Sequence, residues 1–194
     1  MKARRILYLG SAVLVGLGFG VGSAWWSVGS GMSYAIQCGS WRHYPYYGSP
    51  SANPYVRART QLAGPLALDR SEAIYFIADR DDQGQPLHPG RAYRIEGHDF
   101  DARWWSITAY GEDHHLIPNP QSRYSYNSEN VARNEDGSYT ILLSNTASGG
   151  NRIPTGRGKK FELFLRLYNP APGVLEDVRV VELPRIVRED SADE

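Results

Sequence analysis

The stretch Ala102-Arg-Trp-Trp-Ser-Ile-Thr-Ala-Tyr-Gly111 decides the fold. It is rich in β-forming residues, and successive side chains of a strand point to opposite faces of its sheet. One predicted face is apolar and consists of Trp105, Ile107 and Ala109. The other face carries aromatic rings and hydroxyls, contributed by Trp104, Ser106, Thr108 and Tyr110.

A second stretch, Phe161-Glu-Leu-Phe-Leu-Arg-Leu-Tyr168, alternates in the same way. Its apolar face is predicted to contain Phe161, Leu163, Leu165 and Leu167, and its other face Phe164, Arg166 and Tyr168. We predict that the two stretches are central strands of a mainly antiparallel β-sandwich with one or two short helices. Alternation and turn residues predict further strands at 72–78, 90–96, 123–126, 138–145 and 178–184.

Composition agrees with a β-rich domain that has many turns, since the 194 residues include 20 glycines, 12 prolines and 13 tyrosines. The 21 basic and 21 acidic residues balance, and no basic stripe is present, so nucleic acid is not an expected partner. The sequence contains one cysteine, Cys38, which excludes a disulfide within the chain. Cys38 is interpreted as a small residue near the membrane, and pairing with another chain stays open.

Residues 6–28 contain no charged residue. At about 1.5 Å per residue, this segment spans roughly 34 Å as a helix, enough to cross a bilayer core. Three basic residues precede it and two tryptophans end it: Lys2, Arg4, Arg5, Trp25 and Trp26. We predict a cytoplasmic flank at 1–5, a single transmembrane helix at 6–28 that is an uncleaved signal anchor, and a body outside the cytoplasm.

Two alternatives concern the same segment. Gly22 and Ala24 are small residues at the spacing that a signal peptidase accepts, so a cleaved signal peptide stays open. Glycines four residues apart, such as Gly16 and Gly20, would allow close approach of a second helix and hence self-association through the membrane.

The remaining chain is divided into a linker at 29–53, a domain at 54–187 and a charged tail at 188–194. The linker is rich in glycine, serine, proline and aromatic residues, and we expect it to pack on the domain. Asn53 and Pro54 are typical of a helix start, so a short helix is predicted over 54–66.

Catalytic signatures are not found: no nucleophile elbow, zinc-protease helix, phosphate loop or paired cysteines. Acids such as Asp79, Asp99 and Asp113 are scattered, and their spacing fixes no pair. The run 79–84 faintly resembles a calcium loop, but a plain hairpin connection between strands 72–78 and 90–96 is favoured. His114 and His115 are interpreted as a solvated loop rather than a metal site. We predict no cofactor and no metal.

The mixed faces of the two central strands are the candidate binding site. Flat aromatic rings and one guanidinium suit a sugar or an acidic ligand. The seven candidate residues are Trp104, Ser106, Thr108, Tyr110, Phe164, Arg166 and Tyr168. A competing interpretation, which we favour, is that a helix or the linker's aromatic residues cover this face. If Arg166 is covered, we expect carboxylate or carbonyl partners for it.

Several stretches together resemble one family. They are 55–58 (YVRA), 66–75 (LALDRSEAIY), 102–110 (ARWWSITAY), 116–124 (LIPNPQSRY) and 165–170 (LRLYNP). The sequence resembles the DUF1214 family, whose domain often accompanies DUF1254 in bacterial proteins. The resemblance implies a jelly-roll-like β-sandwich in a bacterial envelope protein, frequently behind one membrane anchor, and implies no established activity.

Two departures from the family pattern stand out. Many relatives have tryptophan where this chain has Arg152 in Asn-Arg-Ile-Pro, and some have cysteine where it has Ala92. The resemblance therefore does not extend to a function that depends on that tryptophan.

We therefore expect an inner-membrane protein with a single pass and a periplasmic domain, which binds a glycan or an envelope protein. The alternative is a carbohydrate-active enzyme of the envelope, which would need two carboxylates about 5–10 Å apart across a sugar site.

Overall fold

The computed structural model describes residues 2–29, 35–62, 67–146 and 149–189. Strands form a six-stranded sheet in the order β1-β2-β3-β9-β5-β6 and a four-stranded sheet in the order β10-β4-β7-β8. Neighbours are antiparallel except β7 and β8, which are parallel. The strands are β1 Ile36–Cys38, β2 Trp41–His43, β3 Ala73–Ala78, β4 Tyr93–Gly97, β5 Ala102–Gly111, β6 Ser125–Asn127, β7 Tyr139–Leu143, β8 Arg152–Ile153, β9 Phe161–Pro170 and β10 Arg185–Arg188. The helices are α1 Lys2–Gly29, α2 Pro54–Leu62 and α3 Pro172–Glu176, with a 3₁₀ turn at Val178–Val180.

The two predicted central strands, β5 and β9, are neighbours in the large sheet, and Ile107 lies opposite Leu165. The predicted apolar faces of both strands are fully buried, which confirms their alternation. Residues of the small sheet, among them Ile95 and Ile141, belong to the same core cluster as Ile107 and Leu165. Burial of each such side chain stabilises the fold by roughly 1.5–3 kcal/mol relative to exposure.

The predicted strand at 178–184 is wrong. Val178–Val180 is a 3₁₀ turn, because the Asp177 carboxylate accepts a hydrogen bond from the Arg179 backbone N–H and caps it. The strand begins later, at Arg185, and pairs with β4.

The predicted hairpin between 72–78 and 90–96 is also wrong, because β3 and β4 lie in different sheets. The connection has its own small bridge between Arg80 and Pro86. Inside it, Asp81 Oδ1 accepts hydrogen bonds from the backbone N–H groups of Gln83 and Gln85. This local turn redirects the chain to the second sheet.

The predicted linker 29–53 contains two strands that the sequence did not predict, β1 and β2, and both extend the large sheet. Trp41 is 1% exposed, and its indole N–H donates to the Pro184 carbonyl at 2.8 Å. This hydrogen bond joins the edge of the large sheet to the segment before β10, so this part of the chain packs on the domain as expected.

Helix α1 is long and apolar enough to cross a membrane, judged by its length and composition. Its end contacts α2, where Arg59 donates to the Val28 carbonyl at 2.9 Å. The predicted N-cap of α2 is confirmed, since Asn53 Oδ1 accepts from the backbone N–H groups of Tyr55 and Val56. The predicted helix end at 63–66 and the tail beyond 189 lie outside the described residues.

Candidate functional site

The seven candidate residues share one face of the large sheet, which we call the outer face. In the β5–β9 pair, Ser106 lies directly opposite Arg166, and the pairs on either side of it are Trp104 with Tyr168 and Thr108 with Phe164. Tyr110 continues the face and lies opposite Glu162. The sequence therefore predicted this juxtaposition correctly, although 49 residues separate the two strands along the chain.

One end of the outer face is covered by aromatic residues of the predicted linker. Tyr44 and Tyr47 stack with a ring-centroid distance of 4.8 Å, and Tyr47 packs with Ile77 and Phe164 in a small second apolar cluster. Phe164 is consequently 2% exposed. The covering interpretation holds at this end.

The opposite end is more open. Trp104 and Tyr168 are half-buried, and their rings meet edge to face at a centroid distance of 5.2 Å. Each ring of the pair has a flat apolar face, and Tyr168 adds a polar hydroxyl.

Arg166 lies between the two ends and is half-buried. Its guanidinium donates to the Tyr110 hydroxyl at 3.0 Å and to Thr108 Oγ1 at 3.4 Å. It also lies 5.2 Å from the ring centre of Phe164 and 5.4 Å from that of Tyr110. Among the residues that the structure describes, no ion pair joins it to a carboxylate, so the expectation of carboxylate or carbonyl partners is wrong.

A cavity of about 750 Å³ adjoins the covered end, and we call it the junction cavity because the end of α1 forms one wall. It contains an ion pair of Arg42 with Asp79 at 2.8 Å and a hydrogen bond between His114 and Glu162. The lining residues are Val21, Ala24, Trp25, Val28, Arg42, Tyr44, Tyr47, Ala58, Arg59, Ile77, Asp79, His114, Glu162 and Phe164.

Glu162 is a half-buried acid of the junction cavity. Burial raises the pKa of its carboxyl, and the hydrogen bond from His114 partly opposes that rise. Sequence reasoning missed Glu162, although alternation along β9 already placed it on the same face as Phe164 and Arg166. Its partner His114 was unpredictable, because a loop with a left-handed residue (φ 61° at His114) brings the ring there.

The three acids singled out from the sequence are not brought together. Asp79 pairs with Arg42, whereas Asp99 pairs with Arg133, whose guanidinium lowers the pKa of that carboxyl. Asp113 is exposed and accepts from the backbone N–H of His115.

A second groove, of about 840 Å³, lies where the edge of the large sheet meets the segment before β10. Cys38 is one of its lining residues, and burial raises the pKa of its thiol. The groove contains none of the seven outer-face residues.

Comparisons with known proteins place this geometry in context. A family model described as "Protein of unknown function (DUF1214)" matches residues 72–172. The solved VPA0106 protein from Vibrio parahaemolyticus is similar, with 25% sequence identity and a TM-score of 0.58 over 72% of this chain. That match covers 36% of the Vibrio chain, so the present chain spans little more than a third of its length.

A putative uncharacterized protein from Burkholderia cenocepacia is also similar, with 16% identity and a TM-score of 0.44. The match covers 89% of this chain and 41% of that one. No curated protein matches the sequence.

Proposed function

Because the chain belongs to the DUF1214 family, whose function is unknown, we propose a function from the geometry of the molecule itself. We propose that α1 holds the protein in a bacterial inner membrane and that the periplasmic domain binds a glycan with acidic groups at the open end of the outer face. Family membership agrees with the resemblance found in the sequence.

The membrane part of the proposal is supported by α1, which combines a span of 25 residues, Arg4–Val28, with basic residues at its start. Basic residues flanking a membrane helix stay in the cytoplasm, so the domain would lie on the opposite side. For the domain we propose a jelly-roll-like β-sandwich, supported by two mainly antiparallel sheets whose inner residues form one core cluster.

The observation that carries the binding proposal is the guanidinium of Arg166. It is held in place by two hydroxyls and two aromatic rings, and no carboxylate of the described residues neutralises it. A fixed guanidinium matches a carboxylate in a bidentate geometry. The neighbouring Trp104–Tyr168 pair is half-buried, and a sugar ring can pack against the face of one of its rings.

The proposal is tested with the full chain in nanodiscs and oligosaccharides that contain uronic acids, next to neutral oligosaccharides of the same length. We expect binding of the acidic series, at least a tenfold loss in Arg166→Ala, and a loss in Trp104→Ala. Arg103→Ala is the matched control, because Arg103 is an exposed arginine of the same strand. Equal binding of the acidic oligosaccharides by Arg166→Ala and wild type would disprove the site. If the protein retains an envelope protein and binds no oligosaccharide, its ligand is a protein rather than a glycan.

One observation favours the alternative, a carbohydrate-active enzyme. Asp79 and Glu162 both line the junction cavity, and the pKa of Glu162 is raised, as a general acid requires. Each carboxylate is already bound to a neighbouring side chain, Asp79 to Arg42 and Glu162 to His114, which favours binding over catalysis. Hydrolysis of envelope glycans that is lost in both Asp79→Asn and Glu162→Gln would establish the enzyme.

A further inference from the structure

The junction cavity has two facing walls that both carry apolar groups, and charged side chains also line it. One wall is apolar and belongs to the last two turns of α1, with Val21, Trp25 and Val28. The facing wall belongs to the large sheet and the segment that covers it, with apolar groups such as Ile77 and Tyr47. If α1 crosses a bilayer, its tryptophan-bearing end lies at the membrane surface, where such rings are enriched. The cavity then opens at the level of the lipid headgroups.

The charged groups that line the cavity balance each other. Arg42 and Arg59 are matched by Asp79 and Glu162, with His114 bound to the last of these. A net-neutral lining that contains both signs suits a zwitterionic group better than an anionic one.

One donor at this site has no acceptor. Arg42 Nε is buried and has no hydrogen-bond partner among the described residues, although the same guanidinium reaches Asp79 through its terminal nitrogen. A buried donor without a partner is unfavourable. A phosphate oxygen is a strong acceptor for such a guanidinium donor.

We propose that the junction cavity binds one phospholipid with an ethanolamine headgroup from the surrounding membrane. The phosphate lies at Arg42, the ammonium at Glu162, and the first part of an acyl chain against Trp25 and Val21. The volume of about 750 Å³ is within the range of small-molecule sites, roughly 300–1,000 Å³, so it holds the headgroup and part of the chain. This inference rests on the proposed membrane anchoring, but not on glycan binding.

The first experiment fills the cavity. Ala58 lines it from α2, whereas Gln61 is exposed on the same helix outside the cavity. Full-length wild type, Ala58→Trp and the matched control Gln61→Trp are reconstituted in nanodiscs of phosphatidylethanolamine and phosphatidylglycerol, then released in mild detergent for native mass spectrometry. We expect one retained phosphatidylethanolamine in wild type and Gln61→Trp and at least a fivefold loss in Ala58→Trp. Equal retention in all three overturns the proposal.

The second experiment needs no variant and therefore does not depend on the folding of Ala58→Trp. A photoactivatable phosphatidylethanolamine with the reactive group on the headgroup is mixed into vesicles that carry the wild-type protein. We expect labelled peptides around Arg42 and His114 as well as the end of α1. Labelling confined to residues 2–29 identifies ordinary annular lipid and overturns the proposal. If the protein is instead recovered outside the membrane fraction, the anchoring itself has failed, which is a distinguishable result.

Discussion

The indole N–H of Trp105 donates to Asp99 Oδ1 at 2.8 Å, so a ring that is 1% exposed in the core is bound to a carboxylate at the surface. The same carboxylate accepts two further hydrogen bonds from the guanidinium of Arg133, each at 2.9 Å. Asp99 therefore connects the central strand β5 to the loop before β7.

We predict that Asp99→Ala lowers the free energy of unfolding by about 1–3 kcal/mol, because it leaves the buried Trp105 N–H without an acceptor. Asp101→Ala is the control, since Asp101 is an exposed acid two residues away.

Arg133 lowers the pKa of Asp99 in the folded state, so this carboxylate contributes stability above its ordinary pKa and loses it as the pH falls towards the lowered value. Chemical denaturation at several pH values should show the difference between wild type and Asp99→Ala shrinking below pH ~4.

Arg166→Ala should have a small effect on stability. Loss of an internal carboxylate partner would cost about 3–5 kcal/mol, but here the partners are two hydroxyls and two ring faces. Cation–π contacts contribute about 0.5–1 kcal/mol each, so we expect a total loss of roughly 1–2 kcal/mol. A thermal melt of the full chain in nanodiscs measures this. A loss above roughly 3 kcal/mol would mean that the arginine has a structural role.

The alternation of the two central strands was sufficient to predict which residues share the outer face, because side-chain direction in a strand has a period of two. It was not sufficient for the strand at 178–184, where the cap from Asp177 overrides the β propensity of the valines. Nor did it show the hydrogen bond between His114 and Glu162, which depends on a loop conformation that leaves no periodic signal. Alternation placed Thr108 and Tyr110 on the same face as Arg166, but it did not show that their hydroxyls, rather than a carboxylate or a carbonyl, would accept from the guanidinium.

Glu162→Gln should stabilise the protein at neutral pH. Burial raises the pKa of this carboxyl in the folded state. Its contribution to the free energy of unfolding is therefore most favourable below its ordinary pKa, and that contribution is lost as the pH rises through the raised pKa. Glutamine resembles the protonated acid and does not ionise, so the variant does not lose stability as the pH rises. We expect the midpoint of Glu162→Gln to exceed that of wild type at pH 7.5 and to match it near pH 4, whereas the exposed control Glu112→Gln should follow wild type at both.

The orientation of the anchor predicts the behaviour of a fusion protein. A reporter attached after Glu194 that is active only outside the cytoplasm should be active, because basic residues precede the apolar helix. If the anchor is uncleaved, mass spectrometry of the membrane-isolated protein should find Lys2 at or next to its N-terminus. Activity of a second reporter that works only in the cytoplasm, fused at the same position, would reverse the assigned orientation of the anchor. A new N-terminus just after Ala24 would establish cleavage.

Gly48 allows the segment with Tyr44 and Tyr47 to close over the outer face. Its φ of +71° is in the left-handed region, and a Cβ there would overlap the backbone oxygen of Leu68. Gly137 has a similar φ of +81° but open space around a Cβ, so Gly137→Ala isolates the conformational cost of about 1–2 kcal/mol.

We predict that Gly48→Ala destabilises the domain clearly more than Gly137→Ala, because it adds the overlap with Leu68 to the same backbone strain. If the covering segment is displaced as a result, Phe164 becomes accessible. Binding of a hydrophobic dye should then rise in Gly48→Ala and stay at the wild-type level in Gly137→Ala. Equal melting temperatures for the two variants would show that the segment carrying Gly48 does not pack on Leu68, and the covered end of the outer face would have to be regarded as open.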